Sequence, residues 1–515
     1  MERTSRKLNK DVLYPSIIIF SVLLLLLFVC PFSPIHRYCF ETDEVAYRLV
    51  SKGLLKGKIP YRDLFDHKGP LLYFVYAFGM LITGGSDIGI WIVFSLINAA
   101  SFYLLYKTAR LFFDEDSSFM GLMITIALLN LHSNSLFVSG TKPEHIVLLF
   151  LSASQYLFFK RITERKEKPV EEVFSGKDML ILGLLCGGIF LLKMNFCIYY
   201  LCFLGLFFLY QLIRKKIKVF FTNAVVFISG IVLSCLPFVA FFCYHGAMDD
   251  LIDCYFTFNM RYASKAGYDL FYFRPWIQFE AKVAINILFI LAIVAFTSAF
   301  LKAKEGSNTR KQLGIYVLCG FVVIAFITLP LIYRYVLTTL VPLLMWGPCF
   351  LGSAIRKRFP KNRSTVITSS VASALIVFFI IQIMCIQPLI PMEKPELEIR
   401  MEEYSQAFPD STYMYYGNLC YLYFYDMTTA VPDFKYFYVP NFDRARIVSL
   451  QGDDVRSSTP DVLTYRRTED LDDEFMDKLG RAYAKCGYEL YVHDETVYVY
   501  IRKAHYDALM NKTQS

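Results

Sequence analysis

Charge is scarce in this chain: Asp, Glu, Lys and Arg together make up 19% of its 515 residues, against about 25% in a soluble globular protein. With 56% apolar residues and a mean hydropathy of +0.42, that scarcity excludes a cytosolic enzyme, a secreted disulfide scaffold and a disordered chain. Cys-x-x-C spacing is absent, which removes the usual zinc and redox frameworks. Most cysteines, such as Cys186, Cys197, Cys202, Cys235 and Cys349, fall inside apolar runs, where a thiol behaves as a small hydrophobe. Cys420 and Cys486 can pair only if the segment carrying them lies outside the cell. No small-x-small cleavage site follows the first apolar run, residues 13–30, so it reads as a signal anchor. Internal repeats and low-complexity segments are lacking too. The basic clusters are short and adjoin apolar runs, so bilayer orientation explains them and no nucleic-acid partner is expected.

What is abundant is long apolar sequence. A helix needs roughly 20 apolar residues to cross the hydrocarbon core. Spans are expected near 13–30, 88–106, 118–138, 144–160, 179–193, 195–213, 219–242, 281–301, 312–331, 333–352 and 365–388. These eleven put the N-terminus and the Lys/Arg-rich connections, among them Lys160–Lys168 and Arg214–Lys218, on one side. The expected fold is a polytopic α-helical membrane protein with a small C-terminal α/β extracytoplasmic domain. Residues 1–388 form the membrane domain, with outer loops at 31–87 and 243–280, and residues 389–515 form the tail. The tail holds 14 Lys/Arg against 22 Asp/Glu within a chain of net charge +8, so the membrane part is strongly basic and the tail acidic. Short β-rich runs at Thr412–Tyr416, Phe434–Val439, Leu490–Val492 and Thr496–Ile501 surround a helix-like stretch at Leu471–Cys486.

The first outer loop concentrates ionisable groups: Asp43, Glu44, Asp63, Asp66, His67 and Lys68. Such groups beside a bilayer are costly and point to function, although a solvated loop of this length would also carry charge. Ala46, Leu49, Val50 and Leu54 recur at helical spacing, predicting an amphipathic interfacial helix. The apolar stretch 70–83 is too short to span and is expected to lie at the outer surface.

This arrangement resembles the first outer loop of the C-type glycosyltransferase superfamily, especially glycosyltransferase family 39, which covers the protein O-mannosyltransferases and the bacterial aminoarabinose transferases. Asp43-Glu44 match the acidic pair that follows the first span, and Gly57, Pro60 and Tyr61 match the turn. Asp66, with His67 and Lys68 before Gly69-Pro70-Leu71, matches the closing motif, with Gly69 standing where the family has its first proline. The resemblance implies an inverting transferase that moves a hexosyl or pentosyl group from a polyprenyl-phosphate donor to a glycan, lipid or protein acceptor at the outer face of a bacterial plasma membrane. It implies Asp43 as base, Glu44 as its support and Asp66 as a second acidic residue, with Lys68 a ligand of the donor phosphate.

Other outer-face residues carry two readings each. Lys142, Glu144 and His145 either line an acceptor site or simply begin a helix, where Glu144 suits the dipole. Lys193 either meets the donor phosphate or snorkels to the interface, the second being favoured. Arg334 and Arg261 are further phosphate ligands or interfacial anchors, and His67 and Tyr61 are supporting residues. Asp66, His67 and His245 could bind Mg²⁺, Mn²⁺ or Zn²⁺, although no spacing demands a metal. A competing reading, a transporter or flippase of a lipid-linked glycan, calls for inverted repeats and interrupted helices, and the sequence shows neither.

Overall fold

A computed structural model describes residues 10–35, 42–129, 139–265, 306–328, 338–358, 396–409, 411–416, 460–466, 473–493 and 497–513, with Lys435 and a few other isolated positions. The chain divides into two compact units that interleave along the sequence. The first comprises residues 1–35, 91–239 and 266–389; the second comprises 36–90, 240–265 and 390–515.

The first unit is helical. Among the described residues, six helices are long and apolar enough to cross a membrane: Lys10–Val29, Ile88–Ala109, Pro143–Glu164, Met194–Ile213, Ile217–Tyr244 and Thr338–Arg358. The expected spans 118–138, 179–193 and 312–331 overlap helices Glu115–Leu129, Gly176–Phe190 and Asn308–Thr328, residues 130–138 and 329–331 lying outside the described residues. Those at 281–301 and 365–388 lie outside the described residues apart from isolated positions. Glycines allow a close crossing in this unit, because a methyl on Gly183 would stand 2.0 Å from the Phe227 carbonyl oxygen and one on Gly230 2.5 Å from that of Leu180. The basic connections are neutralised locally. Arg161 and Arg165 both bind Asp178, which caps the helix Gly176–Phe190 in a capping box with Ser175, and Lys216 pairs with Glu171 and Glu172.

The second unit begins with helix Thr42–Leu55, which packs against helix Pro70–Ile82. The amphipathic pattern predicted a polar face in water. Instead Glu44, Arg48 and Ser51 are as buried as Val45 and Leu49, so this helix is enclosed on nearly every side rather than lying on a surface. The polar groups survive burial because they have partners: Arg48 forms an ion pair with Asp87 at 2.7 Å, and Ser51 donates to the Tyr47 carbonyl. At about 1.5 Å per residue, Pro70–Ile82 measures about 20 Å, short of the roughly 30 Å hydrocarbon core, as expected for a non-spanning helix.

The tail carries a four-stranded mixed sheet in the order β1-β2-β4-β3, with β1 Tyr413–Tyr416, β2 Val462–Arg466, β3 Tyr488–His493 and β4 Val497–Arg502. β1 runs parallel to β2, and both other pairings are antiparallel. Val462, Val497, Val499 and Ile501 bury its core, and helix Asp473–Lys485 packs Tyr483 against Tyr488 and Tyr500. The sequence missed β2, a short run that ends at Arg466 and is followed directly by Arg467. The expected strand Phe434–Val439 lies outside the described residues except for Lys435, as does Cys420, the proposed partner of the exposed Cys486 thiol.

Candidate active site

The loop between helices Thr42–Leu55 and Pro70–Ile82 is built by two residues in the left-handed region. Gly57 has φ +85°, which costs glycine nothing, but Tyr61 has φ +70°, where a bulky side chain is strained. The surroundings compensate. Tyr61 is fully buried, its N–H donates to the Leu64 carbonyl at 2.8 Å, and its hydroxyl donates to the Lys68 carbonyl at 2.7 Å. Tyr73 donates to the same carbonyl at 3.3 Å. The chain from 61 to 68 is thus pinned at both ends, and the three ionisable residues Asp66, His67 and Lys68 hold fixed positions.

Those three form a line of contacts. Asp66 is 1% exposed, and its Oδ1 accepts the His67 backbone N–H at 2.6 Å. Burial pushes the Asp66 carboxyl upward, but hydrogen bonds from His67 and the charge of Lys68 outweigh it, so its pKa falls below the ordinary value. His67 moves down as well, through burial first and the Lys68 charge second, opposed by Asp66 and by nearby Asp43. A neutral His67 fits the geometry. Lys68 Nζ lies 2.8 Å from His67 Nε2 and has only protons to offer, so Nε2 accepts and Nδ1 carries the ring proton. That proton faces Asp66 Oδ1, 3.4 Å away. The Asp66–His67 contact is therefore not an ion pair. The Lys68 ammonium also lies 5.8 Å from the centre of the Tyr47 ring, a favourable distance for a cation over an aromatic face.

An aspartate held ionised in this way is a weak proton acceptor at neutral pH, since efficiency in proton transfer requires a pKa near the working pH. Its assets are charge and direction. Asp43 stands in the first turn of its helix and is partly exposed. Glu44 beside it is completely buried.

The first unit contains a second polar cluster, around the start of helix Pro143–Glu164. Lys142, Glu144 and His145 are all buried to within 1% exposure. His145 Nδ1 lies 2.7 Å from Asn98 Oδ1, while Asn98 Nδ2 donates to the carbonyls of Phe94 and Gly140 at 2.8 and 3.0 Å. That pattern fixes the Asn98 amide and makes His145 Nδ1 the protonated nitrogen. Glu144 forms an ion pair with Lys193. The favoured reading of Lys193 as a snorkelling anchor is corrected here, because a buried carboxylate claims its ammonium and a charge left alone there would be far costlier than an exposed one. Glu144 is a helix-start residue and an ion-pair partner at once. Asn98 and the turn Ser139–Thr141 escaped the sequence reading; an Asn in the middle of a long apolar run was the available signal.

The remaining candidates separate. Arg261 is exposed on helix Phe258–Lys265, and Arg334 lies outside the described residues. His245 packs its ring 4.6 Å from Phe241 and 5.0 Å from Tyr244, and its carbonyl accepts from Arg62. Among the described residues, no group of three or more His, Cys, Asp or Glu is placed to hold a metal ion. The Lys68 ammonium engages His67 Nε2.

The arrangement of the chain is similar over nearly its whole length to ArnT from Cupriavidus metallidurans, solved bound to undecaprenyl phosphate. The TM-score is 0.60 at 11% identity, covering 95% of this chain and 97% of that one. AglB from Archaeoglobus fulgidus, an oligosaccharyltransferase solved with an inhibitory peptide and a dolichol-phosphate, aligns at TM-score 0.49 and 11% identity over 89% of this chain and 70% of that one. The likeness to ArnT shows a shared fold. Residues 67–243 match the family model described as dolichyl-phosphate-mannose-protein mannosyltransferase, so the resemblance to glycosyltransferase family 39 is borne out. The match begins at His67 and leaves Asp43 and Glu44 upstream of it. No curated protein matches the sequence.

Proposed function

We propose that this protein is an inverting glycosyltransferase that takes a sugar from a polyprenyl-phosphate donor and passes it to a hydroxyl acceptor on the outer face of a bacterial plasma membrane. The observation that carries the reading is the Asp66–His67–Lys68 line, in which Asp66 and Lys68 are buried and His67 partly so, with the Asp43 charge acting on the His67 ring. Asp43 takes the proton of the acceptor hydroxyl as its oxygen attacks the anomeric carbon. The bond from that carbon to the phosphate oxygen breaks on the opposite face, and its electron pair leaves with the phosphate, so a single displacement inverts the centre. Lys68 meets the growing negative charge with an N–H beyond the one spent on His67, in a site with little water to screen it. Asp66 balances that ammonium so that no lone charge is buried. Glu44, Tyr61 and His67 support these groups, and Arg261 is a further ligand of the donor phosphate. No metal enters the scheme.

The test is purified protein in vesicles with a labelled polyprenyl-phosphate sugar. One free polyprenyl phosphate should appear for each sugar transferred, and the product should have the opposite anomeric configuration. Movement of an intact lipid-linked glycan between leaflets, without release of polyprenyl phosphate, would replace the transferase with a flippase.

A further inference from the structure

Asp66 itself is held through its neighbours on either side. Before it, the Phe65 N–H donates to the main-chain carbonyl of Lys435 at 2.7 Å. After it, the His67 carbonyl accepts from Asn259 Nδ2 at 2.7 Å. The two supports are connected, because Lys435 Nζ lies 2.7 Å from Asp250 Oδ1. Asp250 belongs to the same helical stretch as Asn259, which runs from Met248–Leu251 through a π-helical turn, Ile252–Thr257, into Phe258–Lys265. Phe258 in that stretch places its ring 5.4 Å from Phe65 and 5.2 Å from His67. Residues 65, 435, 250, 259 and 67 thus close a ring of interactions around Asp66, all within the second unit.

We infer that Lys435 is a positioning residue: its carbonyl and its ammonium together fasten the loop at Phe65 to the helix bearing Asp250, so that the C-terminal region holds the candidate reacting loop in place. Both members of the ion pair keep 26% exposure, so breaking it shifts a local equilibrium by only about three- to ten-fold. That is too little to unfold the protein and enough to loosen one loop. The structural part of the inference stands on these interactions alone; its effect on turnover rests on the glycosyl-transfer reading above.

Hydrogen exchange at the Phe65 amide, followed by mass spectrometry of the full-length protein, reads the fastening directly. Lys435→Met and Asp250→Asn should each speed exchange across residues 60–69 by about three- to ten-fold, while the strand Val497–Arg502 keeps its protection. Lys435→Arg should retain protection, and Lys435→Asp combined with Asp250→Lys should regain most of it. In the transfer assay, Lys435→Met should lower kcat by a similar factor with the donor KM unchanged. Unchanged exchange in both single variants overturns the clamp, whatever the activity of the protein. Faster exchange with unchanged kcat removes the positioning role. A wild-type protein that shows the exchange pattern but transfers no sugar instead overturns the proposed function and leaves the clamp intact.

Discussion

Two ionic clusters among the described residues, Asp66–His67–Lys68 and the group around Glu144 and His145, are assembled in opposite ways. In the second unit Asp66, His67 and Lys68 are consecutive, and a strained turn at Tyr61 holds them in line. In the first unit Glu144 finds its cation 49 residues away at Lys193, and His145 finds its acceptor 47 residues away at Asn98. One cluster is local geometry, the other tertiary packing. Neighbours in sequence can be arranged for chemistry with little dependence on helix packing, whereas a cluster drawn from separate helices also reports whether those helices are docked.

The largest expected effect tests whether the loop cluster acts on a reaction at all. Asp43→Asn keeps size and a hydrogen-bonding oxygen but cannot accept a proton at neutral pH, so transfer should fall by roughly 10²–10⁴-fold. Donor affinity, measured in the same preparation, should be preserved. Near-normal transfer would move the base elsewhere, with Glu144 the next residue to replace. Lys68→Ala should follow, slowing turnover by about 10²–10³-fold while the amount of membrane-inserted protein stays the same. Equal losses of inserted protein and turnover would mark Lys68 as structural.

The helix-borne cluster should answer in stability instead. Lys193→Met leaves the fully buried Glu144 carboxylate without its cation, at a cost of about 3 kcal/mol, the lower end for such pairs because Lys193 keeps 19% exposure. Thermal unfolding in detergent should reveal it, and Lys193→Met with Glu144→Gln should recover most of the loss. If Lys193→Met unfolds like the wild type, the ion pair is not a brace and the two clusters differ less than their geometry says.

The smallest effect is the pH dependence of the loop. The His67 pKa lies below its ordinary 6.5, so on acidification the unfolded chain takes up a proton before the folded one does. Stability contributed by neutral His67 is therefore complete above about pH 6.5 and declines as pH falls toward the folded value. Asp66 is likewise depressed, from 3.8, and its contribution is lost only below that pH, so it does not mask the His67 window. Apparent Tm between pH 7 and pH 5 should drop, and His67→Gln should flatten that part of the curve. An identical slope in the variant would assign it to other groups.

The contrast between the clusters also explains what the sequence could reveal. The loop motif was readable because its members are contiguous and its turn residues, Gly57 and Tyr61, occupy the positions where the chain reverses. The six long spans were readable because length and apolarity suffice to define them. The enclosure of helix Thr42–Leu55 was not, since amphipathic spacing distinguishes faces of a helix but not what covers the polar one. Arg48 needed Asp87, and Glu144 needed Lys193, before either could be buried; nothing in local sequence names such partners. Lys435 is the extreme case, an unremarkable lysine in an aromatic stretch whose role depends on two segments remote in the chain.

One crossing in the second unit bears on the lipid as much as on the protein. Helix Pro70–Ile82, from which the reacting loop hangs at Gly69, meets the start of the next helix through glycines: a methyl added to Gly89 would stand 1.8 Å from the Gly79 carbonyl oxygen. A seam formed by two bare backbones has no side-chain rotamers to loosen on warming and no gap for an acyl chain to enter. The distance between the two helices is thereby set by backbone against backbone, so that a side chain added at either glycine would force them apart.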